Sequence, residues 1–563
     1  MQKFILILIF ILWNILHISF LKLNEVLKVA DSFAYLQMAY NLKNFSIEWF
    51  WNGWFWFLYS LPIAITDFFV NNDMISAFIV NIILFNILVL ICYIFARNFL
   101  SEKYNYLFLI LLFLSPVLLN FNINILSENI YIPLFMILFI WIINFFWKPT
   151  FWNSIFLWLI TALLYLTRWE AFIYVWSIWL IYLFLLFSKK IDFSIFLSNS
   201  ITLIISFFVF ISPYIFYMHS FTWEIWLTNK WSSNLRQAEL RWTSKMDDDW
   251  FEQAVWELTE DNHHLIAWFA WWLKYEKPQT WESFKKYLLE NPWKVVDRML
   301  ENQSKLYTQN LPNIIIWNAY KLYSLEWSKL FYQNKLFLLI LLIPIWLLFY
   351  GIFYFIKEIE YYFVFSIFSF FATASFFFTL FFVLDRYFVI FIPLFIFLIV
   401  YWSQNITDFW KKWLEYLKYF WFSMLLIWIY SLWTFSYYNS EKWQDDLYEV
   451  KKEAWEWLYK YHWWNLTWKT DLKIMERFPV VTYYSWTKER WLTPYTDNVE
   501  SLVEYAKFNN INYLIVDNLD FYKYRPELRF LFDENTEKYE WLKKVQVFEK
   551  NWEKVILYSI LKY

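Results

Sequence analysis

Apolar runs long enough to cross a bilayer recur along the first 440 of this chain's 563 residues, and this excludes most soluble folds. A hydrocarbon core of about 30 Å takes roughly 20 apolar residues of helix, whose backbone groups must be satisfied within the segment. Eleven spans are predicted, near residues 4–21, 74–96, 106–119, 128–147, 151–167, 170–187, 193–217, 335–356, 361–383, 387–402 and 414–437. The third and fifth are short, as a tilted or partly re-entrant segment would be. Lys3 precedes the first run as in a secretory signal, but no small-residue cleavage site follows, so the run reads as a retained span. The single cysteine, Cys92, lies inside an apolar run, which excludes an intrachain disulfide and a thiolate metal site. A net charge of −2 without a basic block gives no footing for nucleic acid.

Basic residues in the loops set the orientation. With the N-terminus inside, the inner loops carry Lys3, Arg97, Lys103, Lys148, Lys189, Lys190, Lys357, Lys411 and Lys412. The short outer loops 120–127, 168–169 and 384–386 carry only Arg168 and Arg386, and the first outer loop adds Lys22, Lys28 and Lys43. The expected protein is a multi-pass plasma (inner) membrane protein, N-in and C-out. It is mostly α: a polytopic transmembrane helix bundle over 1–437, followed by an extracytoplasmic α/β domain over 438–563. Within outer loop 22–73, the stretch from Ala30 to Leu42 reads as a short amphipathic helix lying at the interface. Outer loop 218–334 is polar, with helical stretches near 250–262 and 280–290. In the C-terminal domain, strands are predicted at Val480–Tyr484, Tyr513–Val516, Val545–Phe548 and Val555–Tyr558. Asp497 and Glu500 form a capping box for a helix through Lys507.

Composition matters at one point. The chain has 2 glycines and 42 tryptophans, whereas average usage predicts roughly 39 glycines. The tryptophan excess about matches the glycine deficit. Membrane aromatic belts account for some of it, but the polar tail after 438 holds ten tryptophans and no glycine. Folded α/β domains need positive-φ turns and helix ends, which glycine mostly fills. Trp486, Trp491, and the pair Trp463 and Trp464 after a helix ending at His462 stand where such turns are expected. The composition therefore predicts a source that reads UGA as glycine, translated here as tryptophan.

No Asp, Glu, Lys or Arg is near the middle of a predicted span, which argues against an ion-coupled transporter. Instead Asp31, Glu128, Arg168, Glu170, Asp385 and Arg386 gather at outer span ends. Singly, each is an ordinary helix end. Six charges from four parts of the chain at one depth form a candidate site for a lipid's polar head. A lipid or glycan transporter or flippase is the competing reading; it predicts internal symmetry and broken helices about a midplane site, and neither is visible. A scaffold displaying the tail leaves the ordered charges unexplained.

These strings resemble the GT-C glycosyltransferases, membrane enzymes that take a sugar from a polyprenyl-phosphate donor. The nearest group is the bacterial relatives of protein O-mannosyltransferases and lipid A aminoarabinose transferases. Ala30 to Ala39 resembles the family's first-loop motif, whose catalytic aspartate maps onto Asp31. Ser115-Pro116 and then Leu126-Ser127-Glu128 are similar to the second-loop segment with a further acid. Leu166 to Ala171 resembles a Thr-Arg-x-Glu-Ala stretch, and Asp385-Arg386-Tyr387 before Pro393 resembles an Arg-Tyr helix start. Ala454 to Leu458 and Ile474 to Pro479 are also similar to the group. The better-studied members have an Asp-Glu pair in the first loop, where Ser32 follows Asp31 here. The Trp-Trp-Asp signature of oligosaccharyltransferases is absent, which disfavours en bloc transfer to asparagine.

The resemblance implies a polyprenyl-phosphate sugar donor, an acceptor hydroxyl on a protein, lipid or glycan, and membrane lipids as surroundings. Asp31 is then the base that takes the acceptor proton. Arg386 and Arg168 are the donor-phosphate ligands, since planar guanidinium suits phosphate oxygens. Glu128, Glu170 and Asp385 are supporting acids. If a divalent metal ion takes part, Asp31 and Glu128 are its candidate ligands. His263 and His264 lack a third ligand nearby and read as a solvated pair.

Overall fold

A computed structural model describes residues 10–11, 14–15, 18, 30–45, 57–113, 115–222, 289–290, 292–306, 310, 361–381, 385–409, 446–465, 472–476, 480–481, 489–493, 499–518, 530–532, 538–539, 541–550 and 553–561. The expected spans 335–356 and 414–437, the helical stretch 250–262, the His263-His264 pair and Asp497 lie outside these residues, as does most of span 4–21.

The membrane region begins with helices α1 (Ala30–Lys43), α2 (Ser60–Val70) and α3 (Asp73–Ala96). Then come α4 (Glu102–Phe113), α5 (Pro116–Ile123), α6 (Glu128–Trp147), α7 (Phe151–Tyr165), α8 (Phe172–Phe187) and α9 (Phe193–Thr222). After these, α10 (Pro292–Lys305), α11 (Tyr361–Phe381), the four-residue α12 (Asp385–Phe388) and α13 (Ile392–Phe409) complete it. Four helical stretches among the described residues are long and apolar enough to span: Asp73–Ala96, Glu128–Phe146, Trp169–Phe187 and Phe193–Phe216. A fifth arises if α4 and α5, which meet at 51°, count as one broken span. This is the short third segment, and Pro116 at the start of α5 fits the break, because proline suits a first helical position. The described residues thus carry four or five of the eleven expected spans. At 15 residues, α7 reaches only about 22 Å and falls short of the hydrocarbon thickness.

Phenylalanine packing joins the bundle. Phe135 of α6 meets Phe391 at 5.3 Å, Tyr174 at 5.4 Å and Phe370 at 5.6 Å between ring centroids. Such edge-on contacts add to the burial of large rings. Elsewhere lipid-facing apolar residues stay exposed, as Ile83, Leu90 and Ile94 do along α3.

The first outer loop departs from expectation. α1 is not an amphipathic surface helix: Ser32, Ala34, Tyr35, Leu36, Met38, Ala39 and Asn41 are all buried, on several faces. It is packed by α2, an apolar helix that the sequence reading left inside the loop. Lys43 at the end of α1 bonds Asp67 Oδ2 at 2.9 Å and Asn71 Oδ1 at 3.0 Å, tying the two helices together.

The C-terminal region is α/β as expected. Helix α14 (Asp446–Asn465) precedes strands β1 (Lys473–Glu476) and β2 (Glu489–Leu492); α15 (Val499–Phe508) precedes β3 (Tyr513–Asp517). Strands β4 (Lys538–Tyr539), β5 (Leu542–Lys550) and β6 (Glu553–Ile560) follow. The six-stranded sheet runs β2-β1-β3-β6-β5-β4, with β1 parallel to β2 and β3 and the other pairs antiparallel. Three predicted strands fall within β3, β5 and β6. Of the one at Val480–Tyr484 only Val480 and Val481 are described, and these are helical; β1 and β2, which the sequence did not predict, join the sheet. Val480 belongs to one buried apolar cluster with Ala34, Tyr59, Ile63 and Ile125.

The tryptophans also sit differently. Trp463 and Trp464 are inside α14 rather than after it, and Trp491 is in β2. The positive-φ non-glycine residues described are Phe45, Asn71, Lys189 and Asn510, none of them tryptophan. The turn argument for these three positions is thereby withdrawn, and the case for reassigned codons rests on composition. If the pair at 463 and 464 is glycine in the native protein, the end of α14 loses about 1 kcal/mol of helix preference. Mass spectrometry of native peptides covering Trp463, Trp464, Trp486 and Trp491 is expected to read glycine; tryptophan throughout would overturn the reassignment.

Candidate functional site

Four of the six expected charges meet in one buried cluster. Glu128 is the first residue of α6, where a carboxylate is favoured by the positive end of the helix dipole. Arg168 stands in extended backbone between α7 and the 3-10 turn Trp169–Ala171, which carries Glu170. The break between the two helices is what lets Arg168 and Glu170, two residues apart, turn toward each other. Arg386 comes from α12.

Arg168 forks onto Glu170, with Nη2 to Oε1 at 3.1 Å and Nε to Oε2 at 3.4 Å. Its Nη1 donates to Glu128 Oε1. The same oxygen accepts from Arg386 Nε at 2.8 Å. Tyr131 and Tyr387 place their rings 5.7 and 5.8 Å from the Arg168 guanidinium, within cation–π range. Tyr387 is itself stacked on Phe378 at 4.3 Å. Burial disfavours the Arg168 charge, but Glu128 and Glu170 more than compensate and hold its pKa well above the ordinary value.

The members differ in access. The Glu128 side chain is 0% exposed, whereas that of Arg386 is 29% exposed. A buried carboxylate shared by two guanidiniums is poorly placed to take a proton from a substrate. Arg168 is spent on two carboxylates, so the expectation that it binds donor phosphate is revised: it is the hub that holds Glu128 and Glu170. Arg386 alone of the four presents surface.

Asp31 is the second residue of α1 and Asp385 the first of α12. Tyr35, one turn beyond Asp31, is buried, its ring edge-on to that of Tyr59 with centroids 5.1 Å apart. The Leu58 N–H bonds Leu166 O at 3.3 Å and fastens the segment before α2 to the end of α7.

Of the two candidate metal ligands, Glu128 has its Oε1 on two guanidiniums, and the Asp31 side chain lies outside those described. Among the described residues, no three His, Cys, Asp or Glu side chains form a group that could hold a metal ion.

Sequence reasoning missed the uncharged polar residues beneath the cluster. Asn81, Asn122, Asn129 and Tyr59 are buried, and Tyr59 Oη donates to Asn81 Oδ1 at 2.6 Å. The signal was present: Asn81 lies within an apolar span, and Asn120, Asn122, Asn124 and Asn129 crowd ten residues before and at the start of another. Buried amides in a membrane bundle need partners.

No family model matches the chain, and no curated protein matches it. Solved structures that resemble it in outline include the oligosaccharyltransferase AglB of the archaeon Archaeoglobus fulgidus, in complex with an inhibitory peptide and a dolichol-phosphate. That likeness has a TM-score of 0.48 at 10% identity, covering 92% of this chain and 70% of that one. The apo oligosaccharyltransferase of the same organism gives 0.47 at 10% identity, covering 91% and 69%. Similarity of this degree assigns neither residues nor an activity to this chain.

Proposed function

We propose that this chain is a membrane glycosyltransferase that moves a sugar from a polyprenyl-phosphate-linked donor to a hydroxyl acceptor at the outer face. The observation that carries the reading is Arg386, a part-exposed guanidinium at the end of an apolar helix, braced from behind by a buried carboxylate. A polyprenyl phosphate puts its charge at headgroup depth, where helix ends lie.

The acceptor oxygen attacks the anomeric carbon and its proton passes to the Asp31 carboxylate. The bond from the anomeric carbon to the phosphate oxygen breaks, its electron pair stays with the phosphate, and the anomeric centre inverts. Arg386 stabilises the charge that develops on the departing phosphate. Arg168, Glu128 and Glu170 keep that guanidinium in place. The N-in orientation puts the start of α1, the cluster and the C-terminal sheet on one outer side. Val480 against Ile125 then gives the C-terminal region a place beside the acceptor.

The test is transfer from a radiolabelled polyprenyl-phosphate sugar by purified protein in membranes. A charge-assisted contact to phosphate is worth roughly 1.5–3 kcal/mol. Arg386→Ala is therefore expected to weaken donor use about ten- to a hundredfold and to leave the acceptor KM nearly unchanged. Arg386→Lys should recover only part, because lysine brings charge without the planar fork. A lowered melting temperature with an unchanged donor KM would reduce Arg386 to a helix-end partner of Glu128.

A further inference from the structure

We infer that α10 rests in the membrane leaflet on the Arg386 side, with Val296 and Leu300 sunk among the lipid chains and its charged side in water. This placement holds whether or not the chain transfers sugar.

Three faces of α10 carry three chemistries, which separate at about 100° of turn per residue. Val295, Arg298 and Asn302 share one face, turned into the protein: the first two are buried, and Asn302 Nδ2 donates to Thr379 O of α11 at 2.9 Å. Pro292, Trp293, Val296 and Leu300 share a second sector of about 100°, the width of an ordinary apolar stripe. All four are exposed. Lys294, Asp297, Glu301 and Lys305 fill the third sector and are exposed too, with Lys305 Nζ 3.0 Å from Glu301 Oε1. A helix with one side on protein, one apolar side bare and one side charged suits a boundary between lipid and water. If Trp293 is glycine in the native protein, Val296 and Leu300 still carry the stripe.

The crossing with α11 sets the depth. Gln303 Nε2 also donates to Thr379, at its Oγ1, at 3.4 Å. Thr379 is in the last turn of α11, the apolar helix that leads into α12 and Arg386. Phe376, three residues earlier and so on the adjoining side of α11, is exposed, as is Phe368 two turns further down. Bare rings on an apolar helix of a membrane bundle face lipid. α10 is therefore fastened at the level where α11 leaves the hydrocarbon, next to a lipid-facing side. Its charged sector holds two acids and two lysines, so attraction to anionic headgroups is not what seats it. The stripe would also suit a second copy of the helix, but it falls short of the three or four heptads that mark such a seam.

The test places a bimane label at Leu300→Cys or Val296→Cys, and for comparison at Asp297→Cys or Glu301→Cys, in the full chain. Cys92, the native cysteine, is buried and is replaced by alanine. The protein is held in phosphatidylcholine vesicles whose lipid is brominated near the top of its acyl chains. An apolar face buried about 5–10 Å into the leaflet should make bromine quench the 296 and 300 labels at least about twofold more than the 297 and 301 labels. Iodide in the water should give the opposite order. Equal quenching in the two sectors overturns the inference. So does protection of the 296 and 300 labels from both quenchers, which would mean that protein covers the stripe. Cross-linking between copies through Leu300→Cys would then identify that cover as a second chain. Because each substituted position is exposed, folding should tolerate it, and the two labels in each sector check one another. No turnover is read, so a failure of sugar transfer leaves this result standing.

Discussion

Asp31→Asn is expected to lower sugar transfer by at least about a hundredfold, the low end for loss of a general base. Asparagine keeps the size of the side chain and most of its hydrogen bonding, but cannot accept the acceptor's proton. Asp31 lies in the first turn of α1, where asparagine is tolerated nearly as well as aspartate, so the fold should hold. The burial of the rest of α1 strengthens the point. Tyr35, Leu36, Met38 and Ala39 fix the helix in the core, so its first turn should not depend on the Asp31 side chain. Donor binding should change little, since phosphate contact belongs to Arg386. Near-normal turnover by the purified variant, with an unchanged pH profile, would remove Asp31 from the mechanism.

Glu128→Ala is expected to cost about 3–5 kcal/mol of stability. Breaking one member of a buried charge network leaves the others desolvated without full compensation. Arg168 would keep Glu170 but lose its second carboxylate, and Arg386 would lose its brace from Glu128. The triple change Glu128→Leu, Arg168→Met, Glu170→Leu removes the buried charges together and is expected to recover most of that stability, because well-packed apolar groups often match a buried ion network. Transfer should stay abolished in the triple variant. Thermal unfolding in nanodiscs, read with transfer on the same samples, separates the two. A single variant within about 0.5 kcal/mol of wild type would mean that the cluster is wet and carries no structural weight.

Much of this was visible in the chain order. Helices α3, α6 and α9 follow from uninterrupted apolar runs, because hydrocarbon demands that every backbone group be satisfied locally. The absence of mid-span charge and the gathering of Glu128, Arg168, Glu170 and Arg386 at predicted span ends followed from the cost of burying ions in lipid. Strands β3, β5 and β6 were legible as β-branched and aromatic runs in a polar tail. Others were not. β1, Lys473–Glu476, is four residues long and carries a charge at each end, so its place depends on pairing with β2 and β3 rather than on its own pattern. α1 looked amphipathic because alternating polar and apolar residues say nothing about what else surrounds a helix. Its serine and asparagine are inside because α2 packs against it.

The sequence by itself determined that charges sit only where apolar helices end, since solvation free energy is a property of each segment. Which charge meets which was decided by the tertiary structure alone. Glu128 and Arg386 are 258 residues apart and share one oxygen contact. That contact forms because the bundle brings the starts of α6 and α12 together, and no local pattern encodes it. Tertiary packing also divided two similar arginines into two tasks. Arg168 emerges between α7 and α8 with a carboxylate on either side, and is consumed by them. Arg386 holds the Glu128 carboxylate on its Nε but stays part-exposed, and in the proposed function it is the one that meets a phosphate.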